Sequence, residues 1–410
     1  MAKTKLLFLV ADGMGDYPVR RLGGKTPLES AATPHMDEMA AACVAGLART
    51  VPLDMPPGSD VANMSLLGFD PAAHHTGRGP IEAAAQGLDL AADDLVWRLN
   101  LVKVSEPTAA GRMLDYSSGH IPTAVSAPLI ARLQAALGNA EFAFHPGVQY
   151  RHLLVQSRGA ESVEARIHVR PPHDITDQSI AADLKEIERS PGLFAIFTLA
   201  ARILAGPDNP SQANAVWPWG QGRPLTLPRF RETFGLRGAV ISAVDLVRGL
   251  GRAAGMRVLT VEGATGLLDT NYEGKVQAAL DYLLGRGGDF VFLHVEAPDE
   301  CGHAGDPAAK TEAVARFDAR VVGPLRAALK DRDAAFLVCC DHLTPVRVRT
   351  HTPEPVPFLL AHASCTDHAL PAFSEKHAAS TGLLLEQGHA LLPYALRRLG
   401  HASERQGTDA

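Results

Sequence analysis

The sequence has no C-x-x-C spacing: its five cysteines, Cys43, Cys301, Cys339, Cys340 and Cys365, are scattered and odd in number. That argues against a disulfide framework and against a cysteine-built zinc cage, and a reduced, cytoplasmic setting is expected. Runs of lysine or arginine are also missing and the formal net charge is −6, so no nucleic-acid-binding surface is expected. Long hydrophobic runs are absent. The longest apolar tract, residues 194–205, carries Arg202 and falls well short of the ~20 residues that span a bilayer. The apolar run near the start halts at Asp12, too short for the core of a signal peptide. A soluble protein with no membrane partner is the expectation. Nucleotide motifs are lacking as well. No G-x-x-x-x-G-K-[ST] loop occurs; Gly13-Met14-Gly15 lacks a third glycine and meets Pro18; and Gly249-Leu250-Gly251 falls inside a helical pattern. Ser59 is not in a G-x-S-x-G elbow, which disfavours a hydrolase triad.

What is present is an ordinary globular composition and, at 410 residues, more chain than one core of roughly 250–300 residues organises. Residues 6–11 form a continuous apolar run ending in Asp12-Gly13, the mark of a strand buried in a parallel sheet. Thr33-Pro34 starts a helix expected to run through residues 36–44, followed by a strand at 47–51. From about Trp97 the texture changes to short alternating runs at 99–104, 142–144, 150–156 and 165–169, with helices near 128–137 and 180–188. Residues 206–223, rich in Gly, Pro, Asn and Trp, read as an ordered connector or site-lining loop. After Gly238, strands at 239–243, 256–261, 289–295, 334–340 and 356–360 alternate with helices at 244–254, 275–284 and 310–329. The expected fold class is therefore α/β, a doubly wound, mostly parallel sheet, interrupted by a smaller inserted α+β domain. The expected division is 1–96, 97–232 and 233–410, the middle stretch being the insertion. The polar tail from about Ser403 is expected to fray.

Chemistry-bearing residues gather at expected strand ends, where open α/β sheets bind ligands. Asp12 follows the first strand. Asp299 and His303, opened by Pro298, stand one helical turn apart after residues 289–295. Asp341-His342 follows a strand reading Phe-Leu-Val-Cys-Cys, and His351 precedes the strand at 356–360. Each has an ordinary alternative as a turn aspartate, a solvated helix pair or a loop histidine. Taken jointly with Ser59, on the turn Pro57-Gly58-Ser59, they point to a site for two divalent cations with the serine as nucleophile. Aspartate and imidazole suit Mn²⁺ first, with Mg²⁺, Zn²⁺ or Co²⁺ as other candidates.

The stretches Asp12-Gly13, Pro57-Gly58-Ser59-Asp60-Val61-Ala62-Asn63, Gly77-Arg78-Gly79-Pro80, Glu296-Ala297-Pro298-Asp299, Asp341-His342 and His351 resemble the alkaline phosphatase superfamily. Within it the chain is similar to the archaeal-type cofactor-independent phosphoglycerate mutases and their bacterial relatives. The resemblance implies that Asp299, His303 and His351 hold one metal, and that Asp12, Asp341, His342 and Ser59 hold the other. It also implies the inserted domain, a phosphoserine intermediate at Ser59, and a glycolytic isomerisation of a small phosphorylated metabolite. Arg78 is the candidate cation for the transferring phosphoryl group. Arg98, Asp115, His120, Arg151 and His173 are candidates for binding substrate in the insertion, with Lys275 and Arg349 as further cations. Closure of the insertion would exclude water. The metal motifs leave a second option open, a metal-dependent phosphotransferase or phosphatase on another small alcohol such as homoserine.

Overall fold

A computed structural model describes residues 3–401, so the expectation for the tail from Ser403 lies outside the described residues. The chain divides into two compact units, Met1–His75 with Thr226–Ala410, and Thr76–Leu225. In chain order the strands are β1 (Lys5–Ala11), β2 (Val44–Ala48), β3 (Leu95–Val104), β4 (Met113–Asp115), β5 (Phe142–His145), β6 (Arg151–Gln156) and β7 (Ala215–Gly222). They continue with β8 (Gly238–Ile241), β9 (Arg257–Val258), β10 (Phe290–Val295), β11 (Ala334–Cys339), β12 (Val356–Ala361) and β13 (Leu384–Leu385).

The first unit is built on an eight-stranded sheet in the order β13-β2-β12-β11-β1-β10-β8-β9. β1 lies between β10 and β11, parallel to both. Leu6 through Ala11 are all fully buried, because helices cover both faces of such a strand and leave no polar side. Only β12 runs against its neighbours, antiparallel to β11 and to β2. The sheet is thus mostly parallel, as the strand–helix alternation requires. One expectation shifts here. The helix begun at Pro34 ends at Ala40, and the strand starts at Val44 rather than at 47. Pairing of β2 with β12 fixes that register, a tertiary preference that local pattern does not carry. The helix expected over 310–329 is likewise broken, by a π-helical turn over Asp318–Val322. There the Asp318 carboxylate accepts from the backbone N–H groups of His35 and Met36, tying two helices together.

The second unit carries a five-stranded sheet, β4-β3-β6-β5 with β7 on the other side of β3. Its core is its own, running from Leu95 through Ile130 and Phe197 to Trp217 and Trp219. The unit opens at Thr76 and closes at Leu225, whereas the expected borders at 97 and 232 fall inside β3 and inside the helix Phe230–Phe234. The helix Arg78–Gln86 explains the early opening: Ala83 packs with Val96, Leu153 and Val155 of this same unit. Two local expectations also change. Residues 165–169 do not pair, and hold instead a 3-10 turn over Glu164–Arg166. The supposed connector 206–223 contains β7, which pairs antiparallel with β3. Pro218 and two glycines hide this strand, and an edge position tolerates the missing N–H.

Candidate metal centre

Each element of the first unit that carries a candidate ligand ends at the same edge of the sheet. β1 delivers Asp12, β11 delivers Asp341 and His342, and β10 leads into the helix Ala297–Ala304, whose first turns hold Pro298 and Asp299. Four residues after Asp299 on that helix, His303 faces the same way. Ser59 is the first residue of the helix Ser59–Leu66, with Gly58 as its N-cap. The loop after β1 has to come close: Gly13 has φ of +60°, and a Cβ there would lie 2.6 Å from Asp299 Oδ1. Lys310, fully buried, anchors this edge by donating to Gly15 O at 3.0 Å, Thr344 O at 2.8 Å and Asp16 Oδ2 at 2.8 Å.

Two donor clusters result. In one, His303 Nε2 lies 3.2 Å from Asp299 Oδ2 and His351 Nε2 lies 3.5 Å from Asp299 Oδ1. The two Nε2 atoms face each other at 3.1 Å. His303 Nδ1 is 3.0 Å from the carbonyl of Arg349, so Nδ1 carries a proton and the ring is held with Nε2 toward Asp299. In the other cluster His342 Nε2 lies 3.6 Å from Asp12 Oδ1, 3.4 Å from Asp341 Oδ2 and 3.0 Å from Ser59 Oγ. Donors at about 2.0–2.2 Å from one ion sit roughly 3–3.5 Å apart, so the spacing of both clusters suits a shared ion as well as it suits mutual hydrogen bonds. Asp341 is oriented by Gly13 N–H and Asn63 Nδ2, at 3.0 and 2.8 Å. Asp12 Oδ1 is buried with no hydrogen-bond partner, the condition of a carboxylate that wants a cation. The donor sets Asp299–His303–His351 and Asp12–Asp299–His342 each fit a metal.

The charges respond to this crowding. Burial, with Asp341 and Asp299 nearby, pushes the Asp12 carboxyl well above its usual range. Burial also lifts Asp299, but hydrogen bonds from His303 and His351 more than offset it and hold that group well below. Burial likewise raises Asp341, yet His342 and His294 bring it down. Burial depresses the His342 imidazole to about 4, leaving it neutral and able to ligate. His303 is driven the other way, to about 9, because Asp299 outweighs its burial.

The insertion candidates occupy the second unit. Arg98, buried on β3, pairs with Glu82 at 3.2 Å and lies 4.9 Å from the centre of the Trp219 ring. Burial lowers its guanidinium to about 10, Glu82 opposing the shift in part. Arg78 lies over the same ring at 5.9 Å. His173 meets Trp219 at 5.4 Å and Tyr116 at 6.0 Å; His120 meets Tyr116 and Tyr150; and Arg151 lies over Tyr150. Five candidate cations and imidazoles are thus joined by three aromatic rings. Asp115 is turned instead to Ser117 and Gly119, whose N–H groups it accepts at 2.7 and 2.6 Å. Arg349 is exposed. Lys275 is not a free cation: fully buried, it binds Glu296 Oε2 at 2.6 Å and the carbonyl of His294 at 2.8 Å.

Motif reading missed Trp219, Tyr116 and Tyr150, because no fixed spacing marks an aromatic wall. It also missed His294, although an imidazole within the apolar strand β10 is itself a signal. Among the described residues no helix is long and apolar enough to cross a membrane, and all five cysteines are free and buried.

A model of the metalloenzyme superfamily matches residues 4–389. A Geobacter sulfurreducens protein named as a probable 2,3-bisphosphoglycerate-independent phosphoglycerate mutase is 46% identical over 404 residues, 96% of this chain and 100% of that one. Among solved structures, the PH0037 protein from Pyrococcus horikoshii has a TM-score of 0.81 at 28% identity, covering 100% of both chains. The cofactor-independent phosphoglycerate mutase from Thermoplasma acidophilum has a TM-score of 0.63 at 23% identity, over 97% of this chain and 100% of that chain, which marks a common fold.

Proposed function

Because this chain belongs to the metalloenzyme superfamily and, within it, to the 2,3-bisphosphoglycerate-independent phosphoglycerate mutases, we propose that it interconverts 3-phosphoglycerate and 2-phosphoglycerate. One observation carries the reading to particular atoms. Ser59 Oγ lies 3.0 Å from His342 Nε2, at a helix start and beside a carboxylate with an unsatisfied oxygen. A nucleophile for phosphoryl transfer needs that company.

Asp299, His303 and His351 hold one divalent cation, and Asp12, Asp341, His342 and Ser59 the other, Mn²⁺ being the best fit to mixed carboxylate and imidazole donors. When bound, the cations lower the pKa of the Ser59 hydroxyl and offset charge on the transferring oxygens. Ser59 Oγ forms a bond to phosphorus as the bond from phosphorus to the 3-oxygen of the substrate breaks. The proton lost by the serine ends on the departing 3-hydroxyl. The phosphoserine at the first position of its helix would stand at the positive end of the helix dipole, which favours negative charge. Glycerate then presents its 2-oxygen, and the reverse exchange frees Ser59 and gives 2-phosphoglycerate. Arg78 supplies positive charge to the phosphoryl group. Arg98, Arg151, His120 and His173 recognise the remaining anionic and hydroxyl groups, while Asp115 shapes the turn beside them. On this reading the protein is a glycolytic enzyme of the cytoplasm.

The test is an assay of purified, Mn²⁺-loaded protein on 3-phosphoglycerate, coupled to enolase, with no bisphosphoglycerate added. Steady formation of phosphoenolpyruvate is expected. Its absence, with the metals shown to be bound, overturns the reading.

A further inference from the structure

His294 is the fifth residue of β10, an otherwise apolar strand, and it is fully buried. Its Nδ1 lies 3.3 Å from Glu296 Oε1, and its Nε2 points the opposite way, 3.5 Å from Asp12 Oδ2 and 3.8 Å from Asp341 Oδ2. Neither nitrogen has a hydrogen-bond partner. A protonated imidazole donating to a carboxylate would stand at about 2.7–2.9 Å, which these separations exceed. The Nε2 separations from the two aspartates suit ligands spread around one ion, the longer one across a wider angle.

The surroundings of Glu296 support that choice. Its Oε2 is held by Lys275 at 2.6 Å, and its Oε1 accepts from Ser242 Oγ at 2.8 Å and Ala243 N–H at 2.7 Å. The carboxylate is thereby fixed in place with one oxygen beside His294 Nδ1. Metal-ligating histidines characteristically have such a carboxylate behind them, which keeps the proton on the far nitrogen and aims the near lone pair at the ion. On that near side stand two aspartates, and the donor atoms of Asp12, His294 and Asp341 all lie within 4.8 Å of one another.

We propose that His294 is a ligand of the cation held by Asp12 and Asp341, so that this ion takes two imidazoles, His294 and His342. The proposal rests on the two-cation reading above and extends it. A second imidazole makes the position softer, favouring Mn²⁺, Co²⁺ or Zn²⁺ over Mg²⁺. The signature in the sequence is His294 with Glu296 two residues later, Lys275 standing behind the carboxylate.

The experiment uses the full chain, stripped with chelator and titrated with Co²⁺ while heat and visible absorption are followed. Wild type is expected to take two ions. His294→Gln, which keeps most of the volume, and His294→Ala should each bind one of them at least about tenfold more weakly, with an altered visible band. Far-UV circular dichroism checks that the variants fold. A measurement on the unaltered ligand guards against a misfolded variant: in His303→Ala protein, which keeps every donor of the Asp12–Asp341 site, pulsed EPR of one equivalent of bound Mn²⁺ should show nitrogen couplings from two imidazoles. Two ions with wild-type affinity and spectrum in folded His294 variants, or one imidazole per Mn²⁺, overturns the role of His294 alone. Wild type that binds no divalent cation overturns the two-cation reading along with it.

Discussion

The two units solve opposite charge problems. At the edge of the first sheet, Asp12, Asp299 and Asp341 crowd together, and their mutual repulsion with burial pushes Asp12 well above its usual range. In the second unit, Arg78, Arg98 and Arg151 lie against Trp219 and Tyr150, and Glu82 pairs with Arg98. Crowded carboxylates invite cations, and arginines laid on rings invite an anion. The first arrangement is fit for chemistry and the second for recognition, and that difference separates what their variants should do.

The sharpest test is Ser59→Ala. It should lower kcat by about 10⁴-fold or more while the circular dichroism spectrum stays unchanged, since on the proposed mechanism the hydroxyl accepts the phosphoryl. Asp299→Asn comes next. It should cost about 10³-fold in kcat and one of two bound cations by elemental analysis, with the second unit's fluorescence unaltered. Trp219→Ala or Arg98→Met should raise KM about tenfold and leave the metal content at two, because cation–π and paired-charge contacts are worth only about 1–2 kcal/mol. Metal loss in those second-unit variants would break the comparison.

The smallest expected effect is on stability. Burial lifts Glu375 to about 7, against hydrogen bonds from Thr26 and Asp16 that pull it down. A carboxyl whose folded pKa is raised is favourable while protonated, so stability should fall as pH rises from about 4.5 to about 7. Glu375→Gln should remove that slope, a difference on the order of 2 kcal/mol above pH 7 and near zero at pH 4 in urea unfolding. A parallel slope in both proteins would show that the charge is compensated after all.

How much of this was legible follows the same division. Asp12, Asp299, His303, Asp341, His342 and His351 sit in short motifs at strand ends, where parallel topology forces side chains to one edge, so the strand reading brings them together. Pro57-Gly58 in the sequence suggests a turn at Ser59, and Ser59 is the first residue of a helix. The recognition face is harder, because it is laid across strands rather than at their ends. Arg98 and Trp219 meet only through the register of β3 with β7, and Pro218 concealed β7. His294 was hidden by its neighbours: Phe290 through Val295 reads as core, and the exception was absorbed into the pattern. Lys275 looks like an available cation in the sequence because its burial and pairing with Glu296 depend on a helix packing that spacing does not reveal.

The placement of β1 between β10 and β11 has a consequence for how the protein comes into being. Asp12 and Ser59 leave the ribosome first, while the segments bearing Asp299, Asp341, His342 and His351 are synthesised only after the whole second unit. That unit, with a core of its own, is free to fold in the interval. Throughout it β1 waits as an apolar strand whose partners β10 and β11 are not yet made, and the full set of candidate cation ligands is not assembled until the last third has emerged. Metal loading is therefore an event of the finished chain.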